Sequence, residues 1–289
     1  MKNQHLNLEH LLTDEQMIDF IINGFILIKP DFREGLNEEI CRHFDANGLP
    51  GVDFENDPYF EKIFDKAPSL HEVFDHPVVE GAFTSLLGAK RKNFGWFCHA
   101  LGPNQGGAFW HQDDVNIRHH QVRRLTVMYY PQDVTPDMGP TYAIPGTHFF
   151  DTPSDQMATL GNHRRQIALT VPAGTLAITH YDLWHSASRN SSDKMRYMVK
   201  LYTDRLEEPS TPTWNHDAAT GDNMARNRFS HENPVLAPSS EEYKLRYLRW
   251  QAWQHLKGDV QEAGQVAVPG QSQTRDLAKV QGYIGDPRL

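Results

Sequence analysis

The sequence predicts a mainly β fold with flanking helices, built on a double-stranded β-helix (jelly-roll, cupin-like) core, and two observations carry this prediction. Between about residues 91 and 206, short segments rich in Val, Tyr, Phe, Thr and Trp alternate with Gly, Pro, Asn and Asp, which is typical of strands joined by turns. No helical stretch of roughly 10 to 15 residues separates these segments, as a parallel βαβ fold would require. An antiparallel sandwich or closed barrel fits this pattern.

A helical section, residues 1–90, precedes the predicted core. The stretch "TDEQMIDFIINGFILIKPDF" has a Thr cap, apolar residues at helical spacing and then Asn23-Gly24 before a β-branched run, so it predicts a helix, a turn and a strand. Leu, Ile and Phe recur at three- and four-residue spacing in residues 33–47 and 68–88. We therefore predict further helices in these two segments.

The region after the core, residues 207–258, predicts a loop followed by a helix. Residues 207–238 are dense in Pro, Asn, Asp and Ser and have no period, so we interpret them as a long lid-like loop. The helix would open on the capping-box pattern of residues 239–242 and carry an aromatic stripe, which we expect to pack against the sheet, with a subunit contact as the alternative. The stripe consists of Tyr243, Tyr247, Trp250 and Trp253. Residues 259–289 are mostly polar, and we interpret them as a tail.

Composition limits the class of protein. A chain of 289 residues with 39% hydrophobic residues can bury one large core, so we expect a single domain over residues 1–289. The formal net charge of −9 argues against a nucleic-acid partner, which needs many Lys and Arg contacts to phosphate. Two cysteines, Cys41 and Cys98, form no disulfide framework, and the opening residues are polar, so we expect a cytoplasmic protein. No apolar run approaches the length of a membrane span.

A candidate metal-binding pattern stands in the stretch "FWHQDDV". In an extended strand, residues i and i+2 project from the same face, so His111 and Asp113 can both point at one metal ion. The same triplet recurs at His180-Tyr181-Asp182, so the triplet alone does not decide the site. A further ligand from a distant part of the chain is needed. Two histidines and one carboxylate on one face of an octahedral metal mark non-haem Fe(II) oxygenases.

His185 offers that third ligand at the end of a strand pattern, and Arg196 enters the next strand 11 residues later. Together with other short motifs, these residues resemble the phytanoyl-CoA dioxygenase (PhyH) family of Fe(II)/2-oxoglutarate-dependent oxygenases. The resemblance covers roughly residues 13 to 205 and includes the "NGFILI" opening. The motifs are His111-x-Asp113, Gly139-Pro140-Thr141, residues 144–148 ("IPGTH"), Trp184-His185, Asn190 and Arg196.

The resemblance implies the cofactors and the residues that hold them. His111, Asp113 and His185 would be the metal ligands for Fe(II), and no catalytic residue beyond them is implied. 2-Oxoglutarate would be the cosubstrate, with O2 as oxidant. The Arg196 guanidinium would bind the far carboxylate of 2-oxoglutarate with two parallel hydrogen bonds, a geometry that lysine does not match. Thr141 resembles a position that contacts 2-oxoglutarate in this family, although turn chemistry alone also explains it.

The second triplet fails the spacing that the family shows. If His180 and Asp182 held the metal, the third ligand would come from one of three later histidines. The residues 11 positions beyond them are Asn227, Glu242 and Val266, and none is an arginine. The histidines concerned are His216, His231 and His255. We therefore predict the site at residues 111, 113 and 185.

The implied reaction is hydroxylation of an unactivated C–H bond in a small-molecule substrate, with conversion of 2-oxoglutarate and O2 to succinate and CO2. Halogenation is disfavoured, because related halogenases lack the carboxylate that Asp113 supplies. Desaturation, epoxidation and rearrangement stay open. Two alternatives to this oxygenase are a non-catalytic jelly-roll protein that binds a metabolite or sugar, and a cupin-type metalloenzyme without 2-oxoglutarate. Neither a nucleic acid nor a membrane is expected as partner, and the chain would be a monomer or homodimer.

Overall fold

The computed structural model describes residues 8–48, 62–113, 119–150, 161–230 and 241–259. Its architecture is the one predicted: two antiparallel sheets that face one another, with helices packed on the outside. The strands of the region expected to form the core run from Arg91 to Arg205. The expected tail from residue 260 onward, residues 231–238 of the expected loop and the first two residues of the expected capping box lie outside the described residues.

The N-terminal helices begin where the sequence places a cap. Thr13 forms a capping box with Gln16, in which each side chain accepts from the other residue's backbone N–H, and Gly24 ends the first helix with a left-handed φ of 79°. The predicted helix over 68–88 is instead two helices, because Pro77 has no N–H to continue a helix and starts a new one. The elements of this section are α1 (Asp14–Asn23), β1 (Phe25–Ile28), α2 (Leu36–Asn47), α3 (Lys62–Lys66), α4 (Leu70–Phe74) and α5 (Pro77–Leu87).

Five strands form the larger sheet. It consists of β1 together with β2 (Arg91–Leu101), β3 (Arg124–Tyr130), β6 (Thr175–His180) and β8 (Arg196–Arg205), in the order β1-β6-β3-β8-β2. Neighbouring strands in this sheet pair antiparallel. A smaller sheet has the order β5 (Ile167–Ala168), β4 (Thr141–Ala143) and β7 (His185–Ala187). An isolated antiparallel bridge from His111 to His185 extends this smaller sheet by one further segment.

The larger sheet separates the main core from the space between the sheets. Side chains on successive strand residues point to opposite faces, so Tyr129 packs into the main core with the helices, whereas Tyr130 packs on the inner face. On β8 the odd positions Tyr197, Val199 and Leu201 enter the main core. The even positions therefore face the space between the sheets, and Arg196 and Lys200 are among them.

The C-terminal region differs from expectation in two ways. The predicted loop contains a nine-residue helix, α6 (Gly221–Phe229), because Ala225 and Phe229 lie one turn apart and bury one face. The following helix, α7 (Glu241–Leu256), has its main contacts with α1 and α6, whereas we expected its aromatic stripe to pack against the sheet. Trp253 anchors it, with its ring 5.3 Å from that of Trp214 and its Nε1 donating to Asp222 at 2.8 Å.

Within the described ranges, the helices are too short or too polar to cross a lipid bilayer.

Candidate active site

Two histidines are brought together by a backbone bridge. His111 and His185 exchange both backbone N–H···O bonds at 3.0 Å, and their ring centroids lie 4.3 Å apart. The Nδ1 of His111 lies 2.7 Å from the carbonyl oxygen of Phe109, and that of His185 lies 2.9 Å from the carbonyl oxygen of Leu183. Each Nδ1 is therefore the donor of its ring. The Nε2 atom of each ring keeps its lone pair, which is the form that ligates a metal.

Asp113 completes a compact donor set. Its Oδ1 lies 3.7 Å from Nε2 of His111, and its Oδ2 lies 3.8 Å from Nε2 of His185. The ligand atoms of the three residues all lie within 4.8 Å of one another, and no other group of this kind occurs among the described residues. Bonds of about 2 Å from one central ion to imidazole nitrogen and carboxylate oxygen suit this spacing. Two nitrogens and one carboxylate are the donors that non-haem Fe(II) binds.

The Asp113 carboxylate is held by two other strands. Thr126 on β3 donates to Oδ2 at 2.8 Å, and the Lys200 ammonium on β8 lies 3.1 Å from Oδ1 and 3.0 Å from Oδ2. Burial alone would raise the pKa of Asp113, but His185, Lys200 and His111 outweigh burial and hold its pKa well below the usual range. The carboxylate is therefore ionised at neutral pH and oriented before any metal binds.

The electrostatics of His185 favour its ligand form. Burial lowers the pKa of this imidazole to about 3, against the opposing effect of Asp113. His185 is therefore neutral at physiological pH, so a metal ion has no proton to displace from it.

Arg196 lines a cavity between the two sheets and is not a surface residue. Its side chain is 2% exposed, and its Nε and Nη1 atoms have no hydrogen-bond partner among the described residues. Burial lowers the pKa of the guanidinium, with Tyr130 and Cys98 opposing. Buried donors without partners cost free energy of about 1–3 kcal/mol each, more for charged groups. The unpaired face of this guanidinium therefore indicates an anionic ligand such as a carboxylate.

The cavity between the sheets joins these groups. Its volume is about 360 Å³, and both sheets contribute to its wall. Thr141 lines it, and its Oγ1 accepts a hydrogen bond from the Tyr130 hydroxyl at 3.0 Å, so the Thr141 proton is left to donate elsewhere. His99 lines the opposite side, and burial, followed by Lys200 and Arg196, lowers its pKa to about 4. The remaining polar lining residues are His111, His185, Ser186, Arg196 and Lys200.

Three of these residues were missed in the sequence: Thr126, Lys200 and His99. Lys200 carried a usable signal, because positions 196 and 200 share one face of a strand, so a lysine four residues after Arg196 must face the same cavity. Thr126 carried none, since 13 residues separate it from Asp113 and its role arises only from strand pairing.

Two other motif residues, Asn190 and Gly139, have structural roles. Asn190 is fully buried, and its Nδ2 donates to the carbonyl oxygens of Leu101 and Lys194, both at 2.8 Å, which fixes the loop between His185 and Arg196. Gly139 has a φ of 72°, and a Cβ there would lie 2.6 Å from Leu101. The fixed spacing from His185 to Arg196 thus follows from the shape of this loop.

The remaining triplets do not build a metal site. Asp182 lies 3.5 Å from His180 and 3.3 Å from His119, in a buried cluster apart from the cavity lining. A third copy of the triplet, His43-Phe44-Asp45, lies in α2. In a helix, residues i and i+2 are about 200° apart, so these two polar side chains diverge.

Comparisons with known proteins identify the family of the chain. The sequence model of the phytanoyl-CoA dioxygenase (PhyH) family matches residues 24–198, more than half of the 289 residues. No curated protein sequence matches the chain.

Solved structures share the fold at low identity. The non-heme alpha ketoglutarate dependent carbocyclase SnoK from nogalamycin biosynthesis is 18% identical with a TM-score of 0.52, over 78% of this chain and 94% of its own. HygX from Streptomyces hygroscopicus with nickel and 2-oxoglutarate bound is 14% identical with a TM-score of 0.55, over 68% of this chain and 88% of its own. The epimerase SnoN from nogalamycin biosynthesis is 15% identical with a TM-score of 0.52, over 66% and 82%. The chain belongs to the phytanoyl-CoA dioxygenase family and is an oxidoreductase that depends on iron and 2-oxoglutarate.

Proposed function

We propose that this oxygenase hydroxylates an unactivated C–H bond of a small molecule, with His111, Asp113 and His185 as the iron ligands and Arg196 as the anchor of 2-oxoglutarate. One observation carries the proposal: the two histidines of a two-histidine, one-carboxylate donor set and a buried guanidinium with unpaired donors line a single cavity. A bound iron and 2-oxoglutarate would supply the oxidising power for C–H cleavage, and the protein contributes placement.

The chain's own residues have distinct tasks in this proposal. Arg196 would take the far carboxylate of 2-oxoglutarate through its unpaired Nε and Nη1 donors. Thr141 would donate its free hydroxyl proton to the same cosubstrate, because Tyr130 already occupies its acceptor side. Asp113 would fill the position that a halide would need, which favours hydroxylation over halogenation. The neutral His99 lines the cavity together with Met128 and Met198, and these side chains would limit the water around bound reactants.

A small-molecule substrate fits the size of the cavity, about 360 Å³. HygX has been solved with nickel, 2-oxoglutarate and hygromycin B bound, so a structure of this fold can accept a cosubstrate and a small molecule together. We propose that this chain, as a single domain, likewise binds 2-oxoglutarate and a small-molecule substrate at the same time.

Anaerobic titration of the Fe(II)-loaded protein with 2-oxoglutarate tests the proposal. We expect a visible metal-to-ligand charge-transfer band in the wild type. Arg196→Met should raise the 2-oxoglutarate Kd by about 30-fold or more while changing the Fe(II) Kd by less than about threefold, because it removes a charge-assisted pair and no metal ligand. Thr141→Val should raise the 2-oxoglutarate Kd by about threefold to tenfold.

The matched control is Arg189→Met, an exposed arginine in the loop between His185 and Arg196, which should leave the 2-oxoglutarate Kd unchanged. Absence of the band in the wild type would point to a metalloenzyme that does not use 2-oxoglutarate. Once a substrate is found by succinate release, a product heavier by one oxygen supports hydroxylation, whereas a product lighter by two hydrogens means desaturation.

A further inference from the structure

We propose that the substrate of this enzyme carries a carboxylate, and that Lys200 is the residue that recognises it. The inference rests on the proposed function, because it concerns the charge of the site once iron and 2-oxoglutarate are in place. It goes further by naming the chemical class of the third reactant.

Lys200 is held rigidly at the wall of the cavity. Its side chain is 5% exposed, and its ammonium lies 3.0 Å from the nearer oxygen of Asp113. The ammonium also lies 5.1 Å from the ring centre of Tyr202 and 5.8 Å from that of Phe97. An ammonium has three N–H donors, and the Asp113 carboxylate can occupy two of them. The third donor is available to a ligand in the cavity that Lys200 lines.

The charges of the site do not balance without another anion. Among the charged side chains of the site, Arg196 and Lys200 supply two positive charges and Asp113 one negative charge. Fe(II) adds two positive charges, and the two carboxylates of 2-oxoglutarate cancel them. One positive charge is left over, and the lining in the described part of the chain contains no Asp or Glu.

A buried charge without a partner is costly, so a ligand that neutralises it gains affinity. The site without Lys200 would be neutral when loaded. Lys200 is therefore the source of the excess positive charge, and it selects for a substrate that brings one negative charge. A single carboxylate supplies that charge.

Lys200 lies far along β8 from the residue that would anchor the far carboxylate of 2-oxoglutarate. Arg196 and Lys200 are four residues apart on β8, so their Cα atoms are roughly 13 Å apart at about 3.3 Å per residue. Arg196 would hold the far carboxylate of the cosubstrate and the metal its other end, so we assign the third donor of Lys200, beside Asp113, to the substrate. The Lys200→Met variant below tests this assignment against a contact with the cosubstrate.

The test uses the full-length protein loaded with redox-silent Zn(II) and saturated with 2-oxoglutarate. Trifluoroacetate is the probe, trifluoroacetamide is its neutral counterpart, and binding is followed by ¹⁹F NMR line width. We expect the wild type to bind trifluoroacetate at least tenfold more tightly than trifluoroacetamide. Lys200→Met should remove this preference, whereas Lys200→Arg should keep it. Lys92→Met, at an exposed lysine on β2, is the matched control and should behave as the wild type.

The proposal is overturned if the wild type binds neither probe at concentrations up to about 100 mM, or if it binds both probes equally. It is also overturned if Lys200→Met keeps the preference for trifluoroacetate, because the anion would then bind to zinc or Arg196. A third contrary result is that Lys200→Met weakens the binding of 2-oxoglutarate as much as Arg196→Met does. Zinc content is measured for each variant. If Lys200→Met loses zinc, the proposal is tested by the wild type and Lys200→Arg, which should both prefer trifluoroacetate to trifluoroacetamide. Loss of the preference in Lys200→Arg would then contradict it. Failure of the wild type to bind 2-oxoglutarate at all would instead refute the proposed function.

Discussion

The triplets His111-x-Asp113 and His180-x-Asp182 have the same residues at the same spacing but different surroundings. At His111, one ring nitrogen bonds a carbonyl oxygen and the other faces Asp113 and the cavity. At His180, Nδ1 accepts from the Asp182 N–H at 3.2 Å, and Nε2 lies 3.3 Å from the carbonyl oxygen of Gln121. Both nitrogens of His180 are therefore occupied. A metal site needs a free lone pair, and only the first triplet keeps one.

The aspartates of the two triplets, Asp113 and Asp182, also differ in their surroundings. Asp113 is fixed by Thr126 and Lys200, which come from two neighbouring strands, and its remaining lone pairs face two free imidazole nitrogens. Asp182 lies against His119 and His180, and its backbone carbonyl accepts from Gln112 at 2.6 Å. The second triplet thus supports the segment that carries the first. A shared pattern can serve ligation in one place and packing in another, and the hydrogen bonds decide which.

The largest effect should come from exchanging the two aspartates for alanine one at a time. Asp113→Ala should raise the Kd for divalent metal by about 100-fold or more and abolish turnover of 2-oxoglutarate, because two imidazoles alone hold iron weakly. Asp182→Ala should lower the melting temperature but keep one metal per chain. Metal titration and succinate formation measure both, and circular dichroism checks folding. Equal metal binding by the two variants would mean that residues 111, 113 and 185 are not the site.

Part of this comparison could be predicted from the sequence. Strand alternation predicts that His111 and Asp113 share one face, whereas the roles of His185 and Arg196 were inferred from the resemblance to the family. The sequence could not indicate Thr126 or Lys200 as partners of Asp113, because 13 and 87 residues separate them from Asp113 and only the tertiary structure brings β3 and β8 against its carboxylate. Helix α6 was missed because its polar composition hides two buried side chains, Ala225 and Phe229.

The next effect is a pH dependence of stability at His180, which the addition of zinc distinguishes from that at the proposed metal ligand His185. Burial, opposed by Asp182, lowers the pKa of His180 from its ordinary 6.5 to about 4. Between these values the unfolded chain binds more protons than the folded one, so stability falls as pH drops from about 6.5 to about 4. At about 1.4 kcal/mol per pKa unit, His180 accounts for about 3 kcal/mol of this loss.

His180→Asn should therefore flatten the fall in melting temperature between pH 7 and pH 5, while Zn(II) still stabilises the variant at pH 7. His185→Asn should flatten the fall as well, because the pKa of His185 is also lowered, to about 3, but it should remove the stabilisation by Zn(II). Thermal melts at several pH values, with and without Zn(II), measure both quantities. Loss of zinc stabilisation in His180→Asn would contradict the separation of roles.

The smallest effect concerns the hydrogen bond that orients the metal-facing carboxylate. Thr126 and Thr179 are buried partners in register on β3 and β6, and valine replaces each without a change in shape. The Thr126 hydroxyl donates to Asp113, whereas the Thr179 hydroxyl donates to the carbonyl oxygen of Thr126 at 2.9 Å. Thr126→Val should weaken metal binding about tenfold, as expected for a group that orients a ligand, and Thr179→Val should change it less than about twofold. Competitive zinc titration compares the two variants. If both weaken the metal equally, the loss reflects general damage to the sheet, and Lys200 alone orients the carboxylate.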